Sequence, residues 1–334
     1  MARKRLLLGI IAFWWFSACQ GEEDFNSRLN LILSSFPPSV SSAGMGGVWV
    51  ASPYPVSHNP ACLARMADYK IKKNILYSGL SQISFGQGPE TRVLVNSIVF
   101  RFEGSHFFRL ASFKGDSERE KIKQGLETEL EIDIVELAYA FRVSPDFSFG
   151  VSFCPSRDIE VNSELNDVRF LESESESNFS GKIGFLYSPI ENFFVGATLE
   201  HTREKVESRV LNPFFFRYFQ TTEKYRSYLL RVGFSWRPWR GGLLAVDRQF
   251  GEIKGPNKNE DAGKWFLGFE QAITENPIIL LRVGSLDRTP TWGIGLYYKN
   301  RIFLDYAYVN QANRDLEPFF GNSDIHMISL SIAF

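Results

Sequence analysis

The stretch Tyr228-Leu229-Leu230-Arg231-Val232-Gly233-Phe234-Ser235-Trp236 places a large apolar or aromatic side chain at every even position, with Arg231, Gly233 and Ser235 between them. A period of two residues is the mark of a strand whose two faces meet different surroundings. The same dyad recurs along the chain. Val135, Leu137, Tyr139 and Phe141 alternate with Glu136, Ala138, Ala140 and Arg142; Phe147, Phe149, Val151 and Phe153 alternate with Ser148, Gly150 and Ser152. Trp292, Ile294, Leu296 and Tyr298 alternate with Gly293, Gly295 and Tyr297. One face is greasy and the other small or polar, and helical periodicity is hard to find.

Alternating segments fall near 68–78, 92–103, 106–115, 128–142, 146–156, 178–188, 192–204, 224–237, 241–249, 263–272, 276–285, 290–299, 301–310 and 324–334. The tally is about fourteen, an even number as bacterial barrels require. Sharing residues 68–334 among them leaves about nineteen per strand and turn, of which roughly ten cross a bilayer. Short turns at 144–146, 188–192 and 274–277 are expected on the periplasmic side. The longer polar stretches 116–127, 157–177, 205–223, 250–262 and 311–323 are expected as outward loops. In a soluble sandwich the aromatic residues would gather at mid-strand. Here Tyr297-Tyr298, Tyr306 with Tyr308, Trp236 with Trp239, and Trp265-Phe266 stand near segment ends, where membrane barrels carry aromatic girdles. The expected fold is all-β: a transmembrane antiparallel up-and-down β-barrel.

Composition removes other classes. The 334 residues carry 37 basic and 38 acidic side chains, without the basic excess of a nucleic-acid binder, so no nucleic acid partner is expected. No apolar run after the first twenty residues reaches the ~20 residues of a spanning helix. Aromatics make up 15% of the chain, an excess that a lipid-facing barrel accounts for. Arg3, Lys4 and Arg5 precede the apolar run Leu6–Ala18 and then Cys19 and the acidic Glu22-Glu23-Asp24, which reads as an export signal over 1–19. Beyond Cys19 there remain Cys62 and Cys154, with neither a disulfide framework nor a metal-ligand spacing. No metal, cofactor or enzymatic activity is expected. His58, His106, His201 and His326 lie in different segments without a Ser or Asp companion motif, and the acidic run Glu172–Glu176 reads as a solvated loop rather than a metal site.

Three local patterns resemble known families. Phe16-Ser17-Ala18-Cys19 resembles the lipobox of bacterial lipoproteins, which makes Cys19 a candidate for lipidation. The final segment, Ile328, Leu330, Ile332 and Phe334 interleaved with Ser329, Ser331 and Ala333, resembles the assembly signal of bacterial outer-membrane proteins, with Phe334 as its last residue and the barrel-assembly machinery as partner. Gly44-Met45-Gly46-Gly47, followed by Asn59-Pro60-Ala61, resembles the N-terminal region of the FadL-type outer-membrane family, including its PorV-like and spirochaete FadL-like members. A phosphate cradle is rejected for these glycines, since no strand precedes them and no Lys-Ser/Thr follows.

The resemblance implies a hatch, residues 20–67, folded into the lumen of a barrel formed by 68–334 in the bacterial outer membrane. It also implies passive uptake of long-chain fatty acids or other hydrophobic small molecules past the hatch and through a wall opening. A PorV-like adaptor role in protein secretion is the alternative. Strand parity puts Arg101, Arg142, Arg231 and Arg282 on the lumen face as candidate contacts for a ligand carboxylate, although lumen arginines also pair with acids such as Glu103 and Glu136.

Overall fold

The computed structural model describes residues 39–54, 57–67, 74–85, 90–102, 104–117, 120–122, 126–165, 168–212, 217–256, 259–299, 301–310 and 323–334. The export signal, Cys19 and Glu103 lie outside the described residues. Fourteen antiparallel strands form the wall: β1 (Asn74–Phe85), β2 (Thr91–Phe102), β3 (His106–Ser117), β4 (Leu126–Arg142), β5 (Phe147–Leu165), β6 (Val168–Ile190) and β7 (Phe193–Asn212), then β8 (Arg217–Trp236), β9 (Gly242–Lys254), β10 (Lys264–Ala272), β11 (Ile278–Leu286), β12 (Thr289–Tyr298), β13 (Ile302–Val309) and β14 (Ser323–Ala333). Each pairs with its sequence neighbours, and β14 returns to β1 in the register Ile75↔Ala333 to Phe85↔Ser323. Phe334 and Asn74 exchange backbone hydrogen bonds of 3.1 Å at the seam, with the Phe334 ring exposed on the outside. The sheet is therefore a closed barrel.

The dyad places its two faces as expected. Tyr228, Leu230, Phe234 and Trp236 of β8 are exposed outward, whereas Arg231 and Ser235 are 2% and 1% exposed. The same holds for Leu137 against Ala138, and for Trp292, Ile294 and Tyr298 against Thr291 and Tyr297. An exterior band of unpartnered Leu, Ile, Val, Phe and Trp side chains has its natural solvent in acyl chains, and a closed ladder leaves no backbone edge to meet them. The molecule is a membrane-spanning barrel.

Two findings correct the sequence reading. The first strand is described from Asn74, and the expected residues 68–73 lie outside the described set. Most of 157–177 and 205–223 is not loop: β5 to β8 run on as paired strands to Leu165, Val168, Asn212 and Arg217. The reason is a change of parity. β5 shifts register against β4 between Val135 and Leu137, where Cys154 and Pro155 go unmatched, and β6 shifts against β7 between Ser177 and Phe179. Below these bulges the outward side chains of β5 include Phe153; above them Asp158 and Glu160 point out while Ile159 and Val161 point in. An extra residue that swaps the faces is what a bulge does, and a proline in an interior strand is tolerated there. Accordingly Glu172–Glu176 is strand, with Glu174 and Glu176 in solvent and Ser173 turned inward. Among the described residues no cluster of His, Cys, Asp and Glu could hold a metal. Shorter paired pieces, Glu120–Ile122 against β4 and Asn259–Asp261 against β9, occupy parts of 116–127 and 250–262.

Finally, the lumen face is not uniformly small or polar. Ile83, Val93, Val95, Leu243, Val309, Ile325 and Met327 all face inward and are buried. Two of the end aromatics also turn inward, Phe266 at 0% exposure and Tyr297 at 9%.

The folded chain is expected to migrate differently on gels before and after heating. Val232→Arg, at the middle of the apolar band, should cost about 2–4 kcal/mol when folding into phosphatidylcholine vesicles is titrated with urea, and Thr222→Arg, beyond the band, below about 1 kcal/mol. Equal costs at the two positions would misplace the band.

Candidate functional site

The segment before β1 lies inside the barrel. Its helix α1 (Val40–Gly44) starts at Ser39, whose hydroxyl accepts a 3.3 Å hydrogen bond from Ser42 N. It ends in a turn where Gly46 and Gly47 take φ of 70° and 77°, the left-handed region that glycine enters without penalty. A 3-10 helix (Pro60–Ala67) then leads towards the wall. Two apolar clusters hold the ends. Val40, Ala43, Met45 and Val48 belong to one apolar cluster with Val93, Val95, Val309, Ile325 and Met327; Leu63, Ala64 and Met66 belong to another with Ile75, Val99, Phe107 and Ala138.

Between these clusters the wall grips the segment's backbone. Asp247 of β9 accepts from Trp49 N at 2.8 Å and Val50 N at 3.1 Å, and pairs with Arg231 of β8 at 3.0 Å. Arg231 also donates to Gly47 O, and its guanidinium lies between the Trp49 ring, 4.3 Å from its centroid, and the Phe266 ring at 3.4 Å. Thr291 Oγ1 accepts from Gly46 N at 2.8 Å and donates to Gly44 O at 3.2 Å. Ser235 donates to Ala51 O at 2.7 Å, Arg109 to Ser57 O at 2.7 Å and Ser148 to Ala61 O at 3.0 Å. Asn59, fully buried, donates to Val50 O at 2.6 Å and to Phe185 O of β6 at 3.0 Å, while its own oxygen accepts from Ala61 N at 3.0 Å. Asn59 thus clips the hatch both to itself and to the wall.

Such approach requires wall positions without side chains. A Cβ at Gly268 would lie 2.5 Å from Met45 O, one at Gly150 would lie 2.5 Å from Ala61 N, and one at Gly293 would lie 3.1 Å from Gly44 Cα. Gly184, Gly196 and Gly284 meet Asn59, Val50 and Gly46 in the same way. The cavity left between Trp49, Tyr54, Phe234, Leu243 and Asp247 measures about 10 Å³, room for about one water. At this level the described residues of the hatch leave no room for a larger molecule.

The hatch motif residues Gly44, Met45, Gly46, Gly47, Asn59, Pro60 and Ala61 all take part in this packing. The four arginines divide. Arg231 and Arg282 are buried in the lumen beside protein carboxylates, Arg282 binding Glu270 at 2.7 Å and Asp305 at 2.5 Å, with Tyr297 OH at 2.8 Å. Tyr54 of the hatch donates to that same Glu270. Arg101 and Arg142 lie at strand ends, donating to Gly104 O at 3.3 Å and Pro145 O at 2.7 Å. Glu136 pairs with Arg109 at 2.9 Å.

Missed by the sequence reading were Asp247, Glu270, Asp305, Thr291 and the wall glycines. Their signal is the inward parity of acids and glycines within apolar strands. Of the histidines, His106, His201 and His326 lie outside the lumen beside Tyr139, Tyr228 and Tyr306, apart from His58 in the hatch.

Neither a protein-family model nor a curated protein matches this sequence. Solved structures do. The toluene transporter TbuX of Ralstonia pickettii superposes with a TM-score of 0.57 at 12% identity, covering 90% of this chain and 98% of that one. The Pseudomonas putida toluene transporter TodX gives 0.54 at 13% identity, covering 87% and 96%. A Pseudomonas aeruginosa FadL homologue gives 0.53 at 11% identity, covering 90% and 95%. The chain shares the barrel fold of these proteins over nearly its whole length.

Gly268→Val would drive a side chain into Met45 and Val48 of the hatch. It should leave heat-modifiable migration intact while making residues 39–67 cleavable by added protease. Asp247→Ala strands Arg231 as an unpaired buried charge and should destabilise the fold by about 3–5 kcal/mol in a denaturant titration.

Proposed function

We propose that this protein is a passive channel in a bacterial outer membrane, admitting hydrophobic small molecules such as monoaromatic hydrocarbons or long-chain fatty acids past a displaceable hatch. The observation that carries this reading is the apolar inner wall. Water-filled barrels line their lumen with polar groups, whereas Val309, Ile325 and Met327 of β13 and β14, on which α1 packs, join Ile83, Val93 and Val95 in one buried apolar cluster. Polar solutes would gain nothing there, and an apolar ligand would lose its contact with water. In the closed state α1 covers the β13 and β14 part of this cluster, so it stands where an apolar ligand would lie.

Two further features support the reading. The Pseudomonas putida and Ralstonia pickettii proteins of the same fold are toluene transporters. The wall also has a gap in its backbone ladder: between β5 and β6 the pairing stops at Cys154↔Ser180 and resumes at Asp158↔Glu176, flanked by the bulges at Val135 and Asn178. Three adjacent strand pairs are interrupted at one level, which suits the lateral wall opening implied by the family resemblance. No nucleophile–histidine pair arises from the placement of the histidines, and no catalytic step is proposed.

Passage requires α1 to leave the wall, and this can be tested by locking it. Ala43→Cys/Val309→Cys places two thiols in the cluster where α1 packs on β13, without replacing a glycine of the contact. In a host lacking its own transporter, the wild type should take up labelled toluene or oleate. The oxidised double variant should lose at least tenfold of that rate and regain it with dithiothreitol. Uptake unchanged by oxidation would remove the hatch from the path. Absence of uptake by the wild type, together with co-purification of a secretion complex, would favour the adaptor role.

A further inference from the structure

Beyond the apolar band, the exterior of β7, β8 and β9 carries a concentration of positive charge that transport does not use. The outward residues of β8 run Trp236, Phe234, Val232, Leu230 and Tyr228, then Arg226 and Lys224. About nine residues from Trp236 to Tyr228 match one crossing of the hydrocarbon core. His201 faces Tyr228 across β7 and β8, and the rings stack at 4.3 Å and 14°. This aromatic pair is the upper girdle. One step further out, Arg203, Arg226 and Lys254 stand side by side on three adjacent strands, in the register Arg203↔Arg226↔Lys254. Another step adds Lys205 opposite Lys224.

Adjacent strands are about 4.8 Å apart and alternate outward residues about 7 Å apart. Five cationic side chains therefore leave a patch of backbone roughly 10 Å by 7 Å. Like charges directly opposite on a sheet repel. Acids at its border are Glu252, 2.8 Å from Lys254 Nζ, with Asp261 across from it, Glu207 beside Lys205, and Glu176 across from Lys205. They do not separate Arg203 from Arg226. Local geometry holds the row in place: His201 Nδ1–H donates to Ser227 O at 2.8 Å, which leaves Nε2 to accept from Arg203 Nε at 3.0 Å. Lys254 Nζ lies 6.0 Å from the Tyr228 ring centroid.

Depth and circumference identify the counter-charge. The polar zone of a leaflet extends about 5–8 Å beyond the hydrocarbon, so the row just above the girdle stands at the level of lipid phosphates. One step further out, in register with Lys205, β4 to β6 present Asp133, Asp158 and Glu176, with Glu131, Glu160 and Glu174 above them and Lys114 3.4 Å from Asp133. These neighbouring strands are predominantly acidic, so the cationic face is a local feature rather than a general belt. We propose that Arg203, Arg226 and Lys254 bind the phosphate of an anionic lipid headgroup in the leaflet away from the chain termini, with His201 as the positioning residue for Arg203.

The test uses the full chain in phosphatidylcholine nanodiscs doped with phosphatidic acid, with retained lipid counted by native mass spectrometry after transfer to detergent. Wild type should retain phosphatidic acid in preference to phosphatidylcholine. Near a membrane surface each cation contributes about fivefold in affinity, so Arg203→Gln/Arg226→Gln/Lys254→Gln should bind about a hundredfold more weakly. Asp133→Asn/Asp158→Asn on the adjoining acidic strands β4 and β5 should leave retention unchanged. Lys254→Gln alone, expected to lose about fivefold, decides the matter if the triple variant does not show heat-modifiable folding. Equal retention of the two lipids, or retention unaffected by these substitutions, would overturn the assignment. Complete displacement by inorganic phosphate at equal concentration would also overturn it, by showing recognition of a free anion rather than a lipid.

Discussion

Backbone amides and carbonyls surrounded by acyl chains have no water to turn to, and a closed ladder is the arrangement by which strands satisfy them. The rest of this molecule follows from that closure. Because β14 pairs with β1 along eleven register positions, the wall cannot spread to admit a plug. Whatever enters must fit between backbones already fixed. The hatch therefore meets the wall through glycine on both sides, Gly44 against Gly293 and Gly46 against Gly284, where any other residue would need the ladder itself to move. Close approach then brings hatch amides within reach of lumen side chains, and Asp247, Thr291, Ser235, Arg109 and Ser148 satisfy groups that would otherwise be buried without partners.

The buried charges serve placement more than strength. Ion pairs removed from water lose in desolvation much of what they gain in attraction, while the loss of one partner is severe. Arg231 illustrates the consequence. Its guanidinium is bound by Asp247, caps Gly47 O and is enclosed by Trp49 and Phe266. A hatch shifted by one residue would leave that charge with no oxygen on its hatch side. The Arg282, Glu270, Asp305 and Tyr297 group does the same for Tyr54. Register of the plug is set by the penalty on alternatives.

The barrel was legible in the sequence because lipid and lumen impose period two on every strand, as Tyr228 to Trp236 shows. What was not legible fails at identifiable residues. At Pro155 and Asn178 a single inserted position exchanges the faces, so the continuing alternation of Asp158, Ile159, Glu160 and Val161 belongs to a different phase from Phe149 to Phe153. Above the membrane both faces of such a strand can be polar, and Glu-Ser alternation looks like loop when water replaces acyl chains outside. The hatch was legible through its motifs, but not through its partners. Asp247 and Arg231 are sixteen positions apart in sequence, and only the β8–β9 register brings them together. Nor does periodicity alone distinguish a lumen arginine that holds a hatch carbonyl from one that holds a ligand.

The ties on the hatch are unevenly spread, and this bears on how such a plug can move without unfolding. Residues 47–61 are held by Asp247, Arg231, Ser235, Arg109, Ser148 and Asn59, several of them charged or fully buried. Helix α1 is joined to the wall by Thr291, by Tyr77 and by contacts of short side chains, Val40 and Ala43, with Val309 and Ile325. A displacement that begins at α1 gives up neutral hydrogen bonds, those of Thr291 and of Tyr77 to the Val40 backbone, each worth about 1 kcal/mol net, and uncovers an apolar surface. One that begins at Trp49 must instead leave Asp247 and Arg231 facing a gap, at several times that cost. The order of release is thus built into the distribution of charge: the apolar side of the lumen is the side whose plug is most weakly held, and the charged side keeps the remainder of the hatch in register while it yields.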